Sequence, residues 1–206
     1  MWQQFVQHNS DKAFQFVSVA VDSQGAEAAR PWTERAAATF PTVVDQDNTL
    51  AALYDYKLIP NGIFLDELGI IRYRKFGGFN AENAADIAAI QRLIDGEVAQ
   101  ITLDPAEVPY QLGATERALV NARMREGAHH FALGAATEAV AAWTQALHLD
   151  PQNLTIRKQI WMAAYPERFH PTIDFAWQQG QLARERESEL ALGICGPDGC
   201  PLPRQT

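Results

Sequence analysis

Extended, strand-like runs occur only in the first 76 residues of this 206-residue chain, and from Glu116 onward every apolar repeat has helical spacing. That switch constrains the fold more than any other feature. It predicts an α/β domain over residues 1–96, a linker over 97–115 containing Pro105 and Pro109, an α-helical domain over 116–191 and a cysteine-containing tail over 192–206.

Within the first domain, Trp2, Phe5 and Val6 have helical spacing, and Asn9-Ser10-Asp11 ends that run. Phe14–Val21 is β-branched, aromatic and almost wholly apolar, the composition of a buried parallel strand. After the Ser23-Gln24-Gly25 loop comes a helical segment in which Pro31 predicts a start, restart or kink. Pro41–Asp45 is a short extended piece, and Asn48 is placed to cap a helix carrying Leu50, Ala51 and Tyr54 on one face. Two extended runs, 59–66 and 70–76, flank a Glu67-Leu68-Gly69 turn and predict a hairpin. Residues 81–95 form an amphipathic helix that buries Ile87, Ile90 and Leu93. The second half reads as helices over 116–134, 135–149, 153–164 and 172–191, broken at Gly134, Pro151 and Pro166.

Composition excludes several function classes. With 47% hydrophobic residues the chain can bury a sizeable core. Its 17 basic and 25 acidic side chains leave a net charge of −8 and no basic run, so a nucleic-acid partner is not expected. No stretch of 18 apolar residues exists to span a membrane, and residues 1–13 are too polar for the core of a signal peptide. The expected location is the cytoplasm.

Over residues 1–95 the chain resembles the thioredoxin-like fold of bacterial thiol-disulfide oxidoreductases and redoxins. The resemblance rests on Val19-Ala20-Val21-Asp22, on Phe40-Pro41-Thr42-Val43-Val44-Asp45 followed by Leu50-Ala51 and Tyr54, on Ile59-Pro60 before a strand, and on Gly69 and Gly77-Gly78. It implies that Pro60 is cis and, with Ile59, shapes the site that faces a redox dithiol. It also implies a central strand leading into a Cys-x-x-Cys pair at a helix start, where the helix N-terminus lowers the attacking thiol's pKa. This chain has neither, and Met1–Val6 looks like the middle of that helix. The absent strand belongs between 17–21 and 63–66, and its omission leaves both with unpaired backbone groups. The expectation is that Met1 is an internal methionine of a longer, N-terminally incomplete redoxin.

Residues 119–151 resemble a single tetratricopeptide repeat, with Gly127, Ala139, Trp143, Ala146 and Pro151 at the motif's spacing. Arg123, Glu126 and His130 depart from it. One repeat needs neighbours to cover its faces, so the helix over 154–164 is expected to cap it and any peptide groove to be short.

Both cysteines lie in the last twelve residues, as Cys195-Gly196-Pro197-Asp198-Gly199-Cys200. The Pro-Asp-Gly order suits a type I turn that folds the two thiols toward each other. Three readings stay open: a redox-active or resolving pair, half of a zinc site completed by His170 or a second chain, and a structural tail. Adjacent His129 and His130 point about 100° apart on a helix and are read as packing and surface residues. Trp143, Trp161 and Trp177 are read as core anchors. Asp45-Gln46-Asp47 and Asp66-Glu67 are read as solvated turn carboxylates. No metal cluster, phosphate loop or cofactor motif stands out.

Two functions follow as expectations. The first is a thiol-disulfide oxidoreductase or antioxidant redoxin, acting on protein thiols, disulfides or a peroxide, in which Cys195 and Cys200 are the catalytic candidates of this chain. The second is a non-catalytic thioredoxin-like and helical-repeat adaptor that binds another protein, the helical domain supplying a docking surface.

Overall fold

The computed structural model describes residues 1–102 and 110–193. The chain divides into two compact units, Met1–Tyr110 and Gln111–Thr206. The first is mixed helix and strand, and the second is helical among its described residues.

The first unit runs α1 (Trp2–His8), β1 (Ser18–Ala20), α2 (Ala26–Arg35), β2 (Thr42–Val44), α3 (Thr49–Tyr54), β3 (Gly62–Leu65), β4 (Ile71–Lys75) and α4 (Ala84–Ile94). Its strands make two separate sheets. β1 pairs in parallel with β2, Val19 opposite Val43, and β3 pairs antiparallel with β4 through the Gly69 turn. Asp66 holds that turn by accepting from the Leu68 and Ile70 amides at 2.9 and 2.8 Å and from Arg72 Nε at 2.8 Å. The backbone and guanidinium donors hold its carboxyl below the usual range.

A core of Phe5, Tyr73, Phe79, Ile90 and Leu93 joins α1, α4 and the β3–β4 hairpin. Trp2 lies across it, stacked on Phe79 at 4.9 Å and tilted against Phe16 at 5.4 Å. Helix α4 begins where the Asn83 side chain accepts from the Ala85 amide. Inside its first turn Asp86 is buried, and it accepts from Lys75 Nζ at 2.5 Å and the Asn80 amide at 3.0 Å.

Three expectations need correction. The first strand is parallel but not buried: Val19 and Val43 are 43% and 47% exposed, because nothing among the described residues packs over that face. Of the start, restart or kink expected at Pro31, the start is excluded, since Pro31 lies inside α2. Residues 98–101 do not open a free linker; Val98 and Ile101 pack against the core and the Ile101 amide donates to the Arg72 carbonyl at 2.9 Å.

The second unit contains α5 (Ala114–Ala132), α6 (Ala136–Leu149), α7 (Leu154–Ala164), a 3₁₀ turn (Pro166–Arg168) and α8 (Phe175–Ala191). The Trp143 indole fills the space that a side chain at Gly127 would need, so the missing Cβ lets α5 and α6 approach. Trp143 is fully buried and its Nε1 donates to the Met124 carbonyl at 3.2 Å. Asn153 caps α7, accepting from the amides of Thr155 and Ile156. Among the described residues no helix is long and apolar enough to cross a membrane.

Candidate functional site

The segment from Tyr56 to Asn61 is held from below and presented from above. Tyr56 and Lys57 turn inward and are buried. Lys57 Nζ pairs with Asp55 at 2.9 Å and lies over the Tyr110 ring at 5.4 Å. Leu58 occupies the space beside Gly77 that a side chain there would take. Asn61 ties the two ends of the hairpin region together: its Nδ2 donates to the Leu58 carbonyl at 2.7 Å, and its Oδ1 accepts from the Gly77 amide at 2.8 Å. The Phe79 amide donates to the Pro60 carbonyl at 3.2 Å. Between these anchors Ile59 and Pro60 are exposed, and the bond joining them is cis.

Asp45 departs from its expected role as a solvated turn carboxylate. It is 6% exposed and accepts from the amides of Thr49, Leu50 and Ala51 at 2.7, 3.0 and 3.2 Å, satisfying the first turn of α3 in place of Asn48. Asn48 takes a left-handed conformation and makes no side-chain cap. Burial, with the Asp45 carboxylate beside it, pushes the Tyr56 phenol well above its ordinary value. With those Asp45 oxygens engaged by amides, the Tyr56 hydroxyl has no hydrogen-bond partner among the described residues. The Asp45–Tyr56 pair supports the loop from behind and does not reach its exposed side.

The exposed side of this loop runs directly into β3, and its neighbour Phe79 carries the Trp2 indole. Trp2 also touches Phe16, two residues before β1. One aromatic side chain thus links the starts of β1 and β3 beside the Ile59-Pro60 loop. The surface offers apolar side chains and backbone edges. Cys195 and Cys200, the chain's two cysteines, lie outside the described residues.

In the second unit a cavity of about 380 Å³ opens between α6, α7 and α8, lined in part by Thr144, Arg157, Trp161, Glu185 and Glu189. Arg157 is 1% exposed and bonds Glu185 at 2.7 Å, Glu189 at 2.5 Å and the Pro151 carbonyl at 2.7 Å. Glu185 also accepts from Trp161 Nε1 and Gln181 Nε2 at 2.6 and 2.7 Å. Arg157, Glu185 and Glu189 answer one another across the cavity and tie α8 to α7, while the Arg157 Nε has no hydrogen-bond partner among the described residues. Trp161 packs edge-on against Trp177 at 5.9 Å. The ring centroids of His129 and His130 stand 6.2 Å apart, and no His, Cys, Asp and Glu cluster among the described residues could hold a metal ion.

No family model, curated protein or solved structure matches this chain. Sequence reading marked Ile59 and Pro60 but missed Asp45, Lys57 and Asn61. Asp45 carried a legible signal, because an acidic residue a few positions ahead of a helical run is a standard N-terminal cap. Lys57 carried none, since lysine is among the residues least often buried.

Proposed function

We propose that this chain is a thioredoxin-like module joined to a tetratricopeptide-like helical hairpin, and that it works as a protein-binding adaptor. The observation that carries this reading is the Ile59-Pro60 loop: exposed, apolar, pinned from behind, and continuous with a strand whose outer edge has no strand partner among the described residues. Such a surface grips polypeptide by backbone and apolar contacts. The order of helices and strands supports the thioredoxin-like assignment, and the seating of Trp143 on Gly127 supports the repeat-like one. The adaptor reading takes precedence over catalysis because the first 194 residues contain no thiol.

Hydrogen exchange on the full chain tests it, with a carboxymethylated, permanently unfolded polypeptide as probe. Slower exchange across residues 58–63 is the expected result. Unchanged exchange throughout the chain at saturating probe overturns the reading.

Thiol-disulfide exchange is the second reading, favoured by the Cys195-Gly196-Pro197-Asp198-Gly199-Cys200 spacing. In that case a thiolate of one cysteine attacks a disulfide sulfur of a protein substrate, and the second cysteine displaces the mixed disulfide, leaving the substrate reduced and Cys195 and Cys200 oxidised as a pair. Insulin reduction that disappears in both Cys195→Ser and Cys200→Ser supports it; an inactive wild type removes it.

A further inference from the structure

We propose that the β3–β4 hairpin is a self-association surface: Leu68 and Ile70 at the tip of one copy enter the cleft beside β4 of a second copy, and Glu67 pairs there with Arg74. This stands apart from the adaptor reading, since it uses neither the Ile59-Pro60 loop nor either cysteine.

The tip is apolar, uncovered and held in shape. Leu65, Leu68 and Ile70 are 41%, 79% and 51% exposed, so three large aliphatic side chains face solvent within six residues. Aliphatic surface concentrated in this way marks a contact site more often than single exposed leucines do. Asp66 fixes the backbone that carries them, accepting from the Leu68 and Ile70 amides and from the Arg72 guanidinium. Little freedom is left for the tip to lose on contact.

The cleft belongs to the same hairpin. A cavity of about 290 Å³ opens between β4 and residues 100–102, lined in part by Ile71, Arg72, Arg74, Gln100, Ile101 and Thr102. An apolar cavity of about 150 Å³ is enough to take benzene, so aliphatic side chains fit this one. Most charges nearby are already engaged: Arg72 holds Asp66, and Lys75 holds Asp86. Two are not. Arg74 lies over the Phe76 ring at 5.0 Å and has no carboxylate partner among the described residues, and Glu67 at the tip has no basic one. The hairpin therefore offers an apolar knob with a free acid, and a cleft with a free base.

Distance along the strand makes the two halves self-complementary. Ile70 and Arg74 are four positions apart, ~13 Å at strand rise. A two-fold axis through the middle of that span, near Arg72, sets one hairpin antiparallel to the other and places the tip of each copy at the cleft of its partner. The same knob-in-cleft contact and the same Glu67–Arg74 pair then form twice. The chain's net charge of −8 opposes association, but residues 65–75 carry three basic and two acidic side chains, so the contact itself is not repulsive. A bilayer is the poorer occupant, because Glu67 beside Leu68 would be drawn toward hydrocarbon without a partner. The surface is small against a standard interface, so the dimer is expected to be weak and to assemble with concentration.

Sedimentation equilibrium on the full chain, from about 5 to 500 μM, is expected to show a reversible rise from the mass of one chain to that of two. Leu68→Ser is expected to weaken dimerisation at least about tenfold while leaving the circular dichroism unchanged, since the side chain it alters is exposed in the single chain. Glu67→Arg and Arg74→Glu, each alone, are expected to weaken it several-fold at low salt. Mixing those two variants is expected to restore association as a heterodimer, because both contacts then join an acid to a base again. That recovery cannot arise from a variant that has lost its fold. The mass of one chain throughout the range overturns the proposal. So does a dimer that Leu68→Ser leaves intact, or a mixture that associates no better than its components.

Discussion

The helical unit encloses its core and the mixed unit does not. Ala139, Trp143 and Ala146 have no solvent contact, whereas Val17 just before β1, Val19 on β1 and Val43 on β2 are exposed, and the four strands make two separate pairs. Backbone hydrogen bonding accounts for the contrast. Each helix from α5 to α8 satisfies its interior amides within its own segment and has only side chains left to bury. A strand needs a neighbour for every edge, and the three- to five-residue strands of this unit are gathered into only two separate pairs. The difference teaches that the first unit's split sheets and its exposed valines have one cause.

The largest expected effect tests the closed side of this comparison. Trp143→Ala empties the seat that Gly127 shapes and is expected to cost about 3–5 kcal/mol, read by denaturant unfolding with exchange monitored over α5 and α6. A loss below about 1 kcal/mol breaks the contrast, since a fully enclosed indole cannot be removed so cheaply. Next, the double replacement Glu185→Gln and Glu189→Gln leaves the buried Arg157 guanidinium without a counter-charge and is expected to cost about 3 kcal/mol, with α8 exchange rising first. Discounting for the partial exposure of Glu185 places this below the tryptophan effect.

Two further expectations concern the open side. Asp45→Ala removes the acceptor for three amides of α3 and is expected to cost about 1–2 kcal/mol, with faster exchange at Thr49, Leu50 and Ala51. Tyr56→Phe is expected to change stability at neutral pH by no more than about 1 kcal/mol, because the hydroxyl it removes lies beside the Asp45 carboxylate without a well-formed hydrogen bond among the described residues. Its effect lies at alkaline pH. The Tyr56 pKa is raised in the folded state, so the stabilisation it contributes is complete below the ordinary phenol value near ~10 and is lost as pH climbs through the folded value. Unfolding curves of the wild type should therefore show an alkaline decline above about pH 10 that Tyr56→Phe lacks. Equal declines in both proteins would place the titrating group elsewhere.

Local signals were legible where one residue decides one event. Asn153 and Asn83 cap their helices, Gly69 and Gly134 take the left-handed conformations that end a strand and a helix, and Ile90 and Leu93 face the core. Signals failed where the outcome depended on what lay opposite. The apolar run at 14–21 was read as buried because its composition suits a covered strand, yet burial also needs a covering layer. Asn48 was read as a cap and Asp45 as solvated, but the chain bends so that Asp45 reaches the first amides of α3. Of the candidate residues, Ile59 and Pro60 could be marked from their place before a strand, while the supports join Asn61 to Gly77 and Lys57 to Tyr110, far apart along the chain.

The sequence by itself determined the order of helices and strands, the change from mixed to helical near residue 100, and the absence of any thiol before Cys195. These depend on residues close together along the chain, whose periods and caps act within a few positions. Only the tertiary structure decided that the strands close into two separate pairs, that Trp2 joins the starts of β1 and β3, and that Asp45 serves α3 from inside. Those outcomes depend on which backbone edges meet, and an edge carries no mark in the sequence of whether a neighbour will arrive to pair with it.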